Sequence, residues 1–289
     1  MQLGLIVALG IIMFGLGLSL TGADFLRIGK HPKVVLIALA CQVVLLPALC
    51  FGLVLAFQLP PHLAIGMMLL AASPGGTTAK LYSHIFRGDV ALNVSLTALT
   101  SVISVVTLPI ITNLAFAYFL PHSIAVGLPW SKVAAVFAIV LVPVAFGMLI
   151  RWWKPRYARA ADGPVRIASI VIVVVAIAGT VYSNSEILVA NFEPLAAITA
   201  LFCLGSLSVG YWSARLTGVV HAQVIASTFE IGIHNATLVI VIAQSLLGDI
   251  QFSLPAAVYS VLMLFVAAGF GLLLARRRSS EHKESEPIG

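Results

Sequence analysis

Long stretches almost free of charge constrain this chain more than any other feature. A helix needs about 20 apolar residues to cross the hydrocarbon core of a bilayer. About nine such runs occur, at 2–22, 33–57, 62–84, 90–118, 131–152, 167–183, 193–213, 222–247 and 253–275. Only 9% of the 289 residues are Asp, Glu, Lys or Arg, whereas water-facing domains carry about a quarter. A soluble enzyme, a nucleic-acid binder and a disordered adaptor are excluded on that ground. The expectation is an all-α polytopic membrane protein of about nine transmembrane helices, with the lipid bilayer as partner and no nucleic acid. Cys41, Cys50 and Cys203 lie inside apolar runs without metal-ligand spacing, so they read as small core residues. The first run has no basic segment before it, which argues against a cleaved signal peptide.

The basic residues orient the spans, because Lys and Arg collect in cytoplasmic loops. Arg27, Lys30 and Lys33 follow run one, and Arg87 follows run three. Arg151, Lys154, Arg156, Arg159 and Arg166 lie between runs five and six, Arg215 follows run seven, and Arg276, Arg277, Arg278 and Lys283 follow run nine. All lie after odd-numbered runs; Lys132, at the start of run five, is the exception. An error of one helix would scramble this order. The reading is a multi-pass protein of the cell inner (plasma) membrane, with the N-terminus outside, the C-terminus cytoplasmic, and the net charge of +6 on the cytoplasmic face. Residues 276–289 read as a disordered cytoplasmic tail.

Ionisable groups at bilayer depth are costly and are functional candidates by default. Glu230 and His234 occupy the middle of run eight, one turn apart on one helix face. Lys80 lies in the second half of run three, close enough to the interface that snorkelling is the competing reading. Both runs also carry helix-breaking chemistry: Pro74, Gly75 and Gly76 in run three, and Gly232 in run eight. Proline cannot donate the helical bond and glycine permits unwinding, so backbone groups are freed at mid-membrane and must bind something. In secondary transporters such breaks fall in corresponding helices of two inverted halves. Run three points inward and run eight outward, as inversion requires. Residues 1–118 then form a first half of four helices and 131–275 an inverted second half of five, the first half lacking its leading helix. Dimerisation as compensation for that helix is left open, as is a further helix upstream.

Several segments, in this order and spacing, resemble the bile acid:sodium symporter family. They are Ile11-Ile12-Met13-Phe14-Gly15; Lys30-His31-Pro32-Lys33; Pro74-Gly75-Gly76-Thr77; Arg87-Gly88-Asp89-Val90-Ala91-Leu92; and Glu230-Ile231-Gly232-Ile233-His234-Asn235. The resemblance covers about residues 10–274 and implies an inverted-repeat fold with a panel domain and a core domain whose two discontinuous helices cross. It implies secondary transport of an organic anion; members carry bile acids, pantoate, pyruvate and related anions. It also implies two sodium sites. Positions matching the first hold Ala79, Lys80, Asn93, Thr97 and Glu230. Those matching the second hold Gln42, Glu230, Ile231, Ile233 and His234.

Here the chain departs from the pattern the resemblance implies. A lysine ammonium has only donors and cannot ligate sodium, but it can stand in the place of the ion beside Glu230. Imidazole nitrogen also suits sodium poorly. The expectation is therefore transport that is sodium-independent or proton-coupled, with conventional sodium symport as the alternative. Thr77, Thr78 and Asn235 are candidate donors to the substrate carboxylate, with ordinary backbone hydrogen bonding inside the helix as the competing role for the threonines. No cofactor or resident metal is expected, and no enzyme activity, since Glu230 with His234 forms neither a nucleophile pair nor a three-ligand metal site. A transport-inactive membrane sensor is the reading from a different class.

Overall fold

The computed structural model describes residues 2–121, 130–183 and 185–284. Among them the chain is helical throughout, without a named strand. Helix α1 spans Gln2–Ser19, and α2, Gly22–Lys30, turns away from it by 68°. Helix α3, Pro32–Ala40, passes through a wide π-helical turn, Cys41–Leu45, into α4, Leu46–Phe57. Then come α5 (Pro61–Ala72), α6 (Ala79–Ile85), α7 (Val90–Phe119), α8 (Trp130–Trp153), α9 (Pro155–Ser183), α10 (Ser185–Ala190) and α11 (Phe192–Leu216). Helix α12, His221–Gly232, precedes α13, Ala236–Val241, which widens into a π turn, Ile242–Leu247; a 3-10 turn, Ile250–Ser253, leads into α14, Leu254–Glu284.

Four of these helices are long and apolar enough to cross a membrane: Pro32–Phe57, Val90–Phe119, Phe192–Leu216 and Ile250–Arg276. The bent pair Ile6–Ser19 and Gly22–Lys30 makes a fifth if taken as one span. Of the apolar runs absent from that set, two are divided. The run at 62–84 divides into α5 and α6, and the run at 222–247 into α12 and α13, each broken where proline or glycine interrupts the helical ladder. The segment after run one, expected as a loop, forms the amphipathic helix α2. Its start is closed by a capping box, with Thr21 N–H and Oγ1 both donating to Asp24 Oδ2 at 2.8 and 2.7 Å. Helix α14 continues to Glu284, so residues 276–284 are helical where a disordered tail is expected. Residues 285–289 of that tail lie outside the described residues.

The breaks are placed by tight helix packing around them. Helices α5, α7, α11, α12 and α14 supply most of the fully buried side chains, including Met67, Phe116, Phe202, Phe229 and Tyr259. Helix α1 instead packs mainly against α8 and α9, and glycine sets its closest approach. A Cβ on Gly17 would collide with the Val144 backbone, and one on Gly147 with Phe14 O and Leu18 N. In lipid, helix association depends on such backbone proximity because burial of apolar surface drives it little. Gly147→Leu is therefore expected to separate α1 from α8 and lower thermal stability by about 1–3 kcal/mol. Gly179→Leu, whose Cβ position is open, is the control; equal melting temperatures for the two variants would refute the packing role.

Candidate functional site

Chain geometry at the two breaks builds the site. Ser73 ends α5 in an extended conformation, with φ −72° and ψ 148°, because Pro74 cannot continue the ladder. Ile233 ends α12 in the same way, with φ −116° and ψ 114°, and Asn235 starts α13 by accepting Leu238 N–H at 3.1 Å. The two extended pieces lie against each other as an antiparallel bridge between Gly75 and His234. Gly76 N–H donates to Ile233 O at 2.7 Å, and Asn235 N–H donates to Pro74 O at 3.0 Å. Backbone groups freed by each break are thus satisfied in part by the other.

Nearby carbonyls are occupied as well. Ser73 O accepts Gln42 Nε2 at 2.5 Å and faces His234 Nδ1 at 3.4 Å. The carbonyl can only accept, so this contact is a hydrogen bond in the tautomer with the hydrogen on Nδ1; Nε2 is buried without a partner. Gly232 O accepts the Tyr259 hydroxyl at 2.9 Å and lies 3.8 Å from Cys203 Sγ. Phe202 stacks on the His234 ring with centroids 5.0 Å apart, holding it edge-on to Tyr259. Gln42, Ile233 and His234, grouped in the sequence reading only through the family resemblance, lie around one break, where Ser73 O, Gly232 O and Ile233 O each accept a protein donor. Ile231 is buried and packs beside Gly210.

Glu230 lies on the other side of the bridge, 1% exposed. Its carboxylate accepts Thr97 Oγ1 at 2.5 Å and Thr100 Oγ1 at 3.0 Å. Asn93, one turn before Thr97 on α7, donates Nδ2 to Ala226 O at 3.0 Å and leaves Oδ1 without a partner. Lys80, half-buried on the first turn of α6, lines a small cavity with Leu16, Ser19, Gly76, Thr77, Val94 and Thr97. Thr97 is common to that cavity and to the Glu230 carboxylate, so the ammonium-bearing helix and the carboxylate flank one threonine. Thr77 is exposed, whereas Thr78 Oγ1 is buried and unpartnered. The Asn235 carboxamide oxygen is engaged in capping α13, which leaves only its amide nitrogen for a ligand.

Thr100, Tyr259, Phe202 and Cys203 belong to the site and escaped the sequence reading. Thr100 was accessible, since it follows Thr97 by three residues and shares its helix face. The other three come from α11 and α14, with no local signal. Gly75 has the tightest requirement of all: an added Cβ would lie within bonding range of the Glu230 carboxylate. Gly75→Ala should accordingly destabilise the protein by about 1–3 kcal/mol, while Gly52→Ala, which meets open space, leaves it unchanged or more stable; chemical or thermal melts of both variants check this.

Comparison with known proteins is consistent with this geometry. Residues 6–191 match the model of the Sodium Bile acid symporter family. The chain is 26% identical over 255 residues to an uncharacterised sodium-dependent transporter of Bacillus subtilis, covering 88% of this chain and 78% of that protein. It is 24% identical over 289 residues to the human ileal sodium/bile acid cotransporter, covering 98% and 82%. With a probable chloroplastic sodium/metabolite cotransporter of Arabidopsis thaliana it shares 28% over 257 residues, 89% of this chain but 63% of that one. A family model matching well over half of the chain, together with broken helices paired around a buried glutamate, leads to one conclusion: this chain belongs to the sodium bile acid symporter family of membrane transporters, and is not an enzyme.

Proposed function

We propose that the chain is a secondary carrier of a small organic anion in which a fixed ammonium, Lys80, takes the place of a coupling sodium ion. The observation that carries this reading is the occupancy of the crossover. Carbonyls around the crossing already accept one protein donor each, from Gln42, Gly76 and Tyr259, which weakens them as cation ligands. Lysine, which offers only donors, stands on α6 across Thr97 from Glu230. Sodium would supply a positive charge next to that carboxylate; here the protein carries one.

Nine crossings are the matching topology: α1; α3 with α4; α5 with α6; α7; α8; α9; α11; α12 with α13; and α14. The antiparallel meeting of the two broken helices supports two inverted halves, 1–118 and 131–275. On the charge pattern the N-terminus is outside and Arg87, Arg151, Lys154, Arg215 and Arg276 are cytoplasmic. Transport is then a rocking of α1, α8 and α9 against the crossed helices. The anion enters beside Thr77 and Lys80, where α1 faces the break, with the Asn235 amide as a further donor.

Sodium symport is the second reading, favoured by the names of the relatives. Melting curves of the purified protein distinguish the two, with pyruvate, pantoate or taurocholate added in sodium or potassium as sole cation. A ligand at ten times its Kd stabilises the folded state by about 1.4 kcal/mol, a shift of roughly 2–4 °C for a chain of this size. On the proposed reading the shift is equal in both cations, and Lys80→Asn makes it depend on sodium. Stabilisation that requires sodium in the unaltered protein would establish symport instead, and a Lys80→Asn variant indifferent to the cation would reduce the lysine to a snorkelling side chain.

A further inference from the structure

Helices α1 and α8 run side by side in one direction. Leu9 lines a crevice with Ile139 and Val140, and further along a Cβ on Gly147 would meet Leu18 N. Beyond that last contact each chain soon leaves the bundle. Helix α2 starts at Gly22, four residues after Leu18, and the corner between α8 and α9 starts at Arg151, four residues after Gly147. At 1.5 Å per residue both lie about 6 Å past the contact. Two segments more than a hundred residues apart in the chain therefore emerge at one level of the fold.

Their compositions match. No acidic residue stands between Asp24 and Asp89, nor between Asp89 and Asp162. Arg27, Lys30 and Lys33 lie on the first segment, and Arg151, Lys154 and Arg156 on the second. Asp24 offsets part of this charge, 3.7 Å from Arg27, whereas Lys30, Lys33, Lys154 and Arg156 are exposed. Large apolar side chains are exposed among these bases: Leu26 by 74%, Trp152 by 82% and Trp153 by 76%. Lys154 Nζ lies 5.6 Å from the centre of the Tyr157 ring. In α2 the exposed Gly22, Phe25, Leu26 and Gly29 follow helical spacing and form one stripe. Ile28, on another side of that helix, packs on the buried core, and α2 rests against α7.

Bulk water suits the bases but not the indoles or Leu26, and hydrocarbon suits the reverse. The headgroup layer of a bilayer takes both, since Trp and Tyr settle at its depth and amphipathic helices lie along it. Helix α2 turns 68° from α1, so with α1 crossing the bilayer it runs close to the membrane plane. Uncompensated positive charge at that depth complements anionic headgroups. We propose that α2 and the α8–α9 corner form one binding surface for anionic phospholipid. Phe25, Leu26, Trp152 and Trp153 sit at the acyl boundary, and Lys30, Lys33, Lys154 and Arg156 meet the phosphates. Because α1, α8 and α9 pack together, lipid bound here ties that group of helices to one leaflet. The inference needs only that the chain is a membrane protein; neither its substrate nor its orientation enters.

Lipids with brominated acyl chains quench the tryptophans they touch, which tests the surface in phosphatidylcholine nanodiscs. In a chain carrying Trp130→Phe and Trp212→Phe, Trp152 and Trp153 report. Brominated phosphatidylglycerol, at about a tenth of the lipid, should quench them about threefold more strongly than brominated phosphatidylcholine. Lys30→Gln with Lys154→Gln should abolish the difference. Arg277→Gln with Arg278→Gln, which removes as much charge from the end of α14, should leave most of it. Equal quenching by the two lipids when all bases are present, or equal losses in the two double variants, would overturn the proposal. Loss of the preference on adding millimolar glycerol 1-phosphate would also overturn it, since the surface would then bind free phosphate. Where the tryptophan variants do not fold, native mass spectrometry of the unaltered protein replaces them. It should then retain phosphatidylglycerol over phosphatidylcholine, and equal retention would overturn the proposal.

Discussion

Two backbone hydrogen bonds, Gly76 to Ile233 and Asn235 to Pro74, are the constraint on which the site depends. In hydrocarbon an unpaired peptide group is expensive, and a helix that breaks there has to find partners for the groups it frees. Each break supplies them to the other. Neither interruption is tolerable alone, and together they fix the crossing point, the direction of approach and the placement of Glu230. Because Gly75 has no side chain, the crossing can sit directly against that carboxylate. The same close approach leaves little space for anything larger than the hydroxyls of Thr97 and Thr100.

Polar groups around the crossing divide into two sets with different chemistry. On the His234 side, carbonyl oxygens are met by donors from Gln42 and Tyr259 and face the imidazole, with Phe202 stacked on the ring. On the Glu230 side, oxygen atoms of Thr78 and Asn93 are without a partner, and Lys80 is among the residues lining the adjoining cavity.

How much of this was legible in the sequence depends on the range of the interaction. Pro74, Gly75, Gly76 and Gly232 announced the breaks, because loss of the helical bond is a local property of those residues. Glu230, His234 and Lys80 stood out because charge at bilayer depth needs a reason. The basic segment after run one reads as a loop, yet the Thr21 and Asp24 capping box starts a helix, Gly22–Lys30, a local signal passed over. Residues 276–284 were read as disordered from their polarity, yet they extend α14. Tyr259, Phe202 and Cys203 were out of reach, since nothing near them in the chain marks them as partners of residue 232 or 234.

Membrane class, all-helical architecture and the identity of the charged and helix-breaking residues were determined by the sequence by itself, since hydropathy, proline and glycine act through neighbours in the chain. Tertiary structure alone decided that the freed backbone groups pair with each other instead of standing open to a ligand. It also decided that Thr100 completes the Glu230 site, and that α7 and α12 run in the register that brings Asn93 level with Ala226. Those outcomes rest on contacts between residues more than a hundred positions apart, whose partners are chosen by the packing of whole helices and not by any property of the residues alone.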